Sequence, residues 1–90
     1  MKLTIRRTTQ FKRDIKRLLR GGKDIKKLLS VVEELAKGWK LSPEYYDHPL
    51  SGKYKNKRDC HIEPDWILIY AIEDDKLILY RTGSHPQLFR

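Results

Sequence analysis

The sequence of 90 residues contains one cysteine and no long apolar segment. Cys60 can form no internal disulfide, and a single thiolate cannot build a cysteine-ligated metal site. The longest apolar run covers residues 66–72 and has seven members, whereas a helix needs roughly 20 to cross a bilayer. Lys2, Arg6 and Arg7 interrupt the N-terminus before an apolar signal segment can form. We therefore expect a soluble, cytoplasmic protein with no membrane partner.

Acidic side chains are few, 12 against 20 lysines and arginines. Residues 1–47 hold 13 basic and 6 acidic side chains, and residues 48–90 hold 7 and 6, so the positive charge is concentrated in the N-terminal half. Such a field attracts polyanions, which include nucleic acids, acidic proteins and anionic membrane surfaces. A chain of this length can build one modest core and not two. We expect a single domain over residues 1–90 with a polyanionic partner.

The first half of the sequence predicts a short strand followed by two helices. Residues 2–7 alternate polar and apolar side chains, as a half-buried strand does. Residues 10–20 have helical spacing, with a threonine pair before them as a cap and a glycine pair after them as a stop. Asp24 can cap a second helix, and Gly38 can end it. In the first helix the apolar side chains share one face: Phe11, Ile15, Leu18 and Leu19.

The second half predicts a loop and three strands. Residues 39–56, among them Trp39, lack a sustained period and predict the loop. Strand candidates follow at roughly 54–63, 66–73 and 76–82, and the short turns between them make neighbouring strands antiparallel. The middle strand is apolar on both faces and belongs at the centre of the sheet. The predicted fold is α+β in the order β-α-α-β-β-β, with two N-terminal helices packed on a small antiparallel sheet.

All three histidines, His48, His61 and His85, lie in the second half, each within a short polar cluster. Histidine is the side chain whose ordinary pKa lies nearest neutrality, so histidines beside carboxylates and arginines can exchange protons at physiological pH. We predict that the three converge on one site able to cleave a phosphodiester. Taken singly, His48 before Pro49 fits a turn residue that bonds the backbone equally well, and the same holds for His85.

The two-residue period of the first C-terminal strand candidate puts Asp59 and His61 on one face. Cys60 and Ile62 lie on the other, more core-like face. Asp59 and His61 can then hold each other's orientation or share protons with a ligand. The same alternation also fits a solvated polar strand face, which is ordinary in antiparallel sheets.

Two further side chains near the C-terminus allow two interpretations each. Arg81 can pair with acidic residues of the neighbouring strand, or it can hold a phosphate together with backbone amides of the glycine turn that follows. Phe89 either anchors the tail or contacts a ligand.

Metal binding is the competing chemistry, because histidine and aspartate are ligands for zinc or manganese. The histidines are separated by 13 and 24 residues, which matches no compact metal motif, and the basic surroundings oppose a cation. We therefore rank metal-free acid–base chemistry above metal-dependent hydrolysis, and we expect no cofactor and no bound metal.

Three motifs stand out in the C-terminal half: Asp-His-Pro-Leu at 47–50, Arg-Asp-Cys-His-Ile-Glu-Pro-Asp-Trp at 58–66, and Arg-Thr-Gly-Ser-His at 81–85. With them the chain resembles the YafQ branch of the RelE/ParE toxin superfamily. The resemblance implies a RelE-like fold and a metal-independent endoribonuclease that cuts messenger RNA on the ribosome, with the RNA's 2′-hydroxyl as nucleophile. It also implies a bacterial or archaeal cytoplasm and a cognate antitoxin. Operator DNA would be contacted only through the toxin–antitoxin complex.

The resemblance also implies which residues form the site. We assign His85 as the general acid and either His48 or Asp65 as the base. His61 and Arg81 would stabilise charge near the phosphate. The implied catalytic residues are His48, His61, Asp65 and His85, and the implied supporting residues are Asp59, Arg81 and Phe89.

The first predicted helix is strongly basic, and we hypothesise that it contacts phosphates of ribosomal RNA. A solvated helix face is the alternative. Two other functions stay open, a non-catalytic nucleic-acid-binding module and a ParE-like toxin that poisons gyrase by binding. Neither requires three histidines. The basic residues of this helix are Lys12, Arg13, Lys16, Arg17 and Arg20.

Overall fold

The computed structural model describes residues 2–38 and 40–89, which form a five-stranded sheet and three helices. Trp39, in the predicted loop, lies outside the described residues. In the part of the chain that the structure describes, no helix is long and apolar enough to span a bilayer. The elements are β1 (Thr4–Arg7), α1 (Thr9–Arg20), α2 (Lys26–Ala36), a 3₁₀ turn (Pro43–Tyr45), β2 (His48–Pro49), a second 3₁₀ turn (Gly52–Tyr54), β3 (Arg58–Glu63), β4 (Trp66–Glu73), β5 (Lys76–Gly83) and α3 (His85–Leu88).

Helices α1 and α2 begin and end close to the predicted residues. Thr8 is the N-cap of α1, and its hydroxyl accepts a hydrogen bond from the backbone N–H three residues later, at 3.0 Å. At the start of α2 the Asp24 carboxylate accepts from the backbone N–H of Lys26, also at 3.0 Å. Gly38 follows the end of α2 with φ +80°, a left-handed conformation that suits glycine. The buried faces were wrongly predicted at two leucines: Leu19 of α1 is 51% exposed, and Leu29, expected on the buried face of α2, is 55% exposed.

The sheet has the strand order β1-β5-β4-β3-β2, so the apolar strand β4 is central, as predicted. The α+β architecture with two N-terminal helices is confirmed. The consecutive strands from β2 to β5 pair antiparallel, whereas β1 pairs in parallel with β5. This parallel pair differs from the expected sheet, in which all strands were antiparallel. A short turn between two strands forces them to pair antiparallel, but β1 and β5 are separated in the chain by helices and other strands, so they can pair in parallel. The short elements β2 and α3 are additions to the predicted order.

Two apolar clusters cover the two faces of β4. Trp66 and Leu68 face the helices and belong to the larger cluster. Ile67 and Ile69 face the opposite side, where they pack with Leu88 and with the segment that leads into β3. Burial on both faces explains why β4 is apolar throughout. The segments that cover the second face also carry two of the three histidines, so packing of the smaller cluster helps to position the candidate site.

A buried carboxylate on α1 joins this helix to the end of β5. Asp14 is 0% exposed. Its oxygens accept hydrogen bonds from Nε and Nη2 of Arg81, at 2.8 and 3.1 Å, and from the backbone N–H of Thr82, at 3.1 Å. Arg17 places Nη2 3.2 Å from Oδ1 of Asp14. A carboxylate that has lost its water needs such donors. The pair therefore fixes α1 to the strand end that precedes His85.

Replacing Asp14 by Asn should destabilise the fold by about 3–5 kcal/mol, because removing one partner of a buried ion pair leaves the other charge uncompensated. Glu33→Gln is the matched control. It removes one charge from an exposed pair in which Lys2 Nζ lies 2.9 Å from Glu33 Oε1, and it should change the stability little, because exposed ion pairs are screened by water and salt. Urea unfolding of both variants measures the difference. Equal losses would contradict the structural role of Asp14.

Candidate active site

His48 on β2 faces Asp59 on β3, and the two residues are Cα partners across the strand pair. Nδ1 of His48 lies 3.0 Å from Oδ1 of Asp59 and 2.8 Å from the carbonyl oxygen of Tyr46. A carbonyl oxygen can only accept a hydrogen bond, so Nδ1 of His48 carries a proton and donates a hydrogen bond to the carbonyl oxygen of Tyr46. In the neutral ring this leaves Nε2 unprotonated and therefore able to act as a base.

Asp59 is 3% exposed, an unusual position for a carboxylate that no arginine or lysine of the described residues pairs with. Within residues 2–38 and 40–89, no hydrogen bond of good geometry reaches its Oδ1 atom. Burial raises the pKa of Asp59, and positive charge on His48, on His61 and more weakly on His85 opposes this rise. His48 thus contacts the buried carboxylate directly, and His61 lies two residues further along the same face of β3.

His61 lies on β3 beside a cavity of about 710 Å³. Its Nδ1 is 3.4 Å from the carbonyl oxygen of Pro64. The ring of Tyr46 meets the His61 ring edge-on, with centroids 5.9 Å apart and an interplanar angle of 73°. The cavity is also lined by Tyr45 and His48. Two of the three histidines therefore share one opening that is large enough for a small ligand.

His85 is the first residue of α3, directly after the turn that ends β5. Its ring centroid lies 4.8 Å from that of Phe89, and Phe89 meets the ring of Tyr54 edge-on at 5.7 Å. The Tyr54 hydroxyl donates a hydrogen bond to the carbonyl oxygen of Leu88 at 3.2 Å. Phe89 therefore anchors the C-terminal tail and at the same time contacts the ring of His85.

The register of the sheet links the His48–Asp59 pair, through its Cα partner on β4, to Arg81 on β5. Arg81 therefore lies in line with this pair across the sheet. Its guanidinium donates to Asp14 and is largely buried. Arg17 shares the same carboxylate. Arg81 and Arg17 together carry two positive charges, and the carboxylate of Asp14 balances one of them. One net positive charge therefore remains beside the glycine turn that ends β5.

Asp65 lies in the turn between β3 and β4 and is exposed. It lines a separate cavity of about 340 Å³ together with Lys23 and Ser84. The structure therefore brings Asp65 close to the residue that precedes α3, and not into the cavity that His48 and His61 line.

Sequence reasoning misses the residues that hold the His48 segment in place. The carboxylate of Asp47 accepts hydrogen bonds from Nε of Arg58, at 2.9 Å, and from the hydroxyl of Tyr70. Burial, and next the hydrogen bond to Asp47, raise the pKa of Tyr70, so its hydroxyl stays protonated and donates. The sequence offers one signal for Asp47, since this residue directly precedes His48 in the motif at 47–50. Asp14 gave no such signal, since it is a single acid on a basic helix.

Four of the five basic side chains expected to contact RNA are exposed on α1. Arg17 differs, because it is half-buried against Asp14 and lies 3.5 Å from Oε1 of Gln87. The helix therefore presents a basic outer face while it keeps one arginine for internal contacts. The four exposed residues are Lys12, Arg13, Lys16 and Arg20.

Among the described residues, no group of three or more His, Cys, Asp or Glu side chains is arranged to hold a metal ion. Cys60 is fully buried, and burial raises the pKa of its thiol. A buried, protonated thiol is a poor ligand and a poor nucleophile. Cys60 therefore acts as a small apolar residue of the core.

The helices packed on a five-stranded sheet, with His48 against the buried carboxylate of Asp59, define the class of small type II toxins with a RelE-like fold. Over residues 3–90 the chain matches the family described as the bacterial toxin of type II toxin–antitoxin system, YafQ. The chain belongs to this YafQ family, as its motifs predict.

Known relatives agree in sequence and in fold. The mRNA interferase toxin YafQ of Escherichia coli (strain K12) is 43% identical over 81 residues, which cover 89% of this chain and 88% of that protein. The toxin chain of the E. coli DinJ-YafQ toxin–antitoxin complex has a TM-score of 0.91 at 40% identity and covers 100% of both chains. A metal-bound toxin from Helicobacter pylori has a TM-score of 0.90 at 45% identity and covers 97% of this chain and 99% of its own.

Asp59→Asn is expected to stabilise the protein at neutral pH. The carboxyl titrates near its ordinary pKa of 3.8 in the unfolded chain and at a raised pKa in the folded chain. Protonated Asp59 therefore favours the folded state. This stability is fully present below the unfolded pKa and is lost as the pH rises through the folded pKa. The amide undergoes no such loss, so the stability advantage of the variant should grow from about pH 4 upward and then level off.

Urea unfolding at a series of pH values measures this advantage. Asp75→Asn is the control, because it changes the net charge equally at a turn where the side chain is 70% exposed. Its stability should stay close to that of the unaltered protein, since exposed ion pairs contribute little. A wild-type advantage over Asp59→Asn that grows with pH would contradict the prediction.

Proposed function

We propose that this toxin is an mRNA interferase, an endoribonuclease that cleaves messenger RNA on the ribosome and so stops translation. The observation that carries the proposal is the contact of His48 with the buried carboxylate of Asp59, next to a cavity that His48 shares with His61. Proton-transfer chemistry needs such a set, whereas a binding module does not. Family membership supports the same activity, since the E. coli relative bears the name mRNA interferase toxin.

The proposed reaction uses the substrate's own hydroxyl as nucleophile. The 2′-oxygen forms a bond to the adjacent phosphorus, and the bond from this phosphorus to the 5′-oxygen of the next nucleotide breaks. A base takes the proton of the 2′-hydroxyl, and an acid gives a proton to the leaving 5′-oxygen. The products are a 2′,3′-cyclic phosphate and a free 5′-hydroxyl. Each well-placed proton transfer contributes about 10²–10⁴-fold in rate.

His48 is the proposed base, in preference to Asp65. Its Nδ1 donates to the carbonyl oxygen of Tyr46, at 2.8 Å, and lies 3.0 Å from Asp59. These contacts orient the ring and leave Nε2 to accept the proton. The negative charge of Asp59 then stabilises the imidazolium that forms. Asp65, which lines the other cavity, is the second candidate.

His85 is the proposed general acid. It is exposed at the start of α3, and its ring is supported by Phe89. His61 and Arg81 are the proposed stabilisers of charge on the phosphorane. For Arg81 the support is the excess positive charge that it and Arg17 leave beside the turn into α3. Positive charge held in place before the reaction stabilises a transition state more effectively than mobile charge does.

A cognate antitoxin is a partner of this toxin, as DinJ is in the E. coli complex with YafQ. The net charge of +8 suits an acidic or amphipathic antitoxin segment, and it equally suits the phosphates of messenger and ribosomal RNA. The proposed site of action is the cytoplasm, where ribosomes and message are present. Contact with operator DNA would take place through the toxin–antitoxin complex.

The exposed face of α1 is the proposed contact with ribosomal RNA. Each basic side chain on it can displace counterions from a phosphate, which favours binding at low salt. Arg17 supports this face from inside by its contact with Asp14. The proposed contact residues are Lys12, Arg13, Lys16 and Arg20, with Arg17 as the inner member of the group.

His85→Ala should lower the rate of message cleavage on translating ribosomes by about 10²–10⁴-fold, because it removes one proton transfer. The fold should persist, since the side chain is exposed. Primer extension on the message measures cleavage by the purified protein, and thermal unfolding checks the fold. A rate within a few-fold of the wild type would refute the assignment of His85.

The same assay separates the rival functions. Cleavage should persist after the purified toxin has been treated with a chelator and then freed of it, because the ribosomes themselves need magnesium, and it should disappear when the nucleotide before the cut carries no 2′-hydroxyl. Loss of cleavage by the stripped toxin that is restored by adding a metal ion to it would indicate metal-dependent hydrolysis. RNA binding without cleavage would indicate a non-catalytic module, and inhibition of gyrase in its place would indicate a ParE-like toxin.

Reversal of two charges on α1, Lys12→Glu with Lys16→Glu, should weaken ribosome binding by about tenfold or more and should reduce its salt dependence. The slope of log K against log salt should fall by about one for each phosphate that the variant no longer neutralises. The matched control reverses Lys26 and Lys40, two exposed lysines off α1. Equal effects in the two double variants would show that net charge alone, and not the face of α1, determines binding.

A further inference from the structure

Tyr46 is an exposed aromatic residue in a conformation that tyrosine rarely adopts. It is 69% exposed, so burial of its ring contributes little to the fold. Its backbone is left-handed, with φ +49° and ψ +43°, a region that disfavours bulky side chains. Asparagine or glycine would fit this turn with less strain. The conformation of Tyr46 is therefore a local cost to stability, which calls for a functional explanation of the ring.

The backbone of Tyr46 is held from both sides. Its N–H donates to the carbonyl oxygen of Pro43 at 3.0 Å, and its own carbonyl oxygen accepts from Nδ1 of His48. The ring in turn lies edge-on against His61, with centroids 5.9 Å apart. One residue thus touches two of the histidines proposed for catalysis, one through its backbone and one through its ring. A ligand stacked on Tyr46 would lie next to both.

The cavity beside the ring suits a flat, uncharged ligand. Its volume is about 710 Å³, and Tyr45, Tyr46 and His61 form aromatic parts of its wall. The cation that lines it, Lys27, already lies 3.6 Å from the carboxylate of Glu63. Because Lys27 is paired with Glu63, it adds little attraction for a phosphate in the part of the cavity beside Tyr46, whereas a nucleobase can stack on the rings there and hydrogen-bond to the polar wall.

We propose that Tyr46 is a stacking platform for a nucleobase of the RNA, for a nucleotide adjoining the linkage that is cut. This inference rests on the proposed function, because it takes the RNA strand to pass His48 and His61. Stacking on an aromatic ring tolerates any base. Tyr46 therefore holds the strand in position and does not choose the sequence.

A double-mutant cycle tests the stacking contact. It removes the ring of Tyr46 from the protein, the stacked base from the message, or both. Tyr46→Asn removes the ring and relieves the left-handed backbone, so the fold should be as stable as the wild type or more stable. On ribosomes programmed with the intact message, its single-turnover cleavage should be about tenfold slower, the usual size for one stacked base. On a message that is abasic at the stacked position, the two proteins should differ by no more than about twofold, because the ring then has no partner.

Two further variants complete the test. Tyr46→Phe, which restores the ring, should cleave at close to the wild-type rate. Ile72→Ala changes a 49% exposed side chain near the far end of β4 and should cleave like the wild type. The proposal is overturned if Tyr46→Asn cleaves the intact message at the wild-type rate. It is also overturned if its defect persists at every abasic position, or if the defect is confined to antitoxin affinity, which would assign the ring to the protein partner. Failure of the wild type to cleave any message would instead remove the proposed function itself.

Discussion

The position of the candidate active site depends on one interaction, the burial of Asp14 against the end of β5. A carboxylate with no solvent exposure must receive donors from the protein, and here they come from Arg81, from the Thr82 backbone and from Arg17. The hydroxyl of Thr82 continues the network, because it accepts from Nε1 of Trp66 and donates to a backbone carbonyl of β4. Helix α1, β4 and β5 are therefore joined at the point from which the chain turns into α3.

Asp59 is buried almost as deeply as Asp14, yet its surroundings are the opposite. Its Oδ1 atom lacks a hydrogen bond of good geometry from the described residues, and burial raises its pKa. A carboxylate in this state lowers stability. On the proposed function, this carboxylate lies 3.0 Å from the ring of His48, where its negative charge would stabilise an imidazolium. A satisfied buried acid serves the fold, and an unsatisfied one beside histidines is typical of a catalytic site.

Local signals predicted much of the fold, and long-range contacts decided the rest. Thr8 and Gly38 act within one turn of chain, so their capping roles could be read from the sequence. The period of β3 likewise placed Asp59 and His61 on one face. The burial of Asp14 could not be predicted, because its partner Arg81 lies 67 residues further along the chain. The parallel pairing of β1, the exposure of Leu19 and the short elements β2 and α3 also depend on tertiary packing, which the local pattern does not encode.

Helix α1 combines two tasks on opposite faces, and this combination suits an enzyme whose substrate is held by a larger particle. Lys12 and Lys16 point outward, whereas Asp14 and Arg17 bind the end of β5. On the proposed function, the ribosome would hold both the message and α1, so the distance from α1 to His85 would set where the acid meets the RNA. A misplacement of about 1 Å can reduce the rate of such a reaction about 100-fold. The buried ion pair makes this distance rigid, because α1 cannot shift relative to β5 without breaking charged hydrogen bonds out of contact with water.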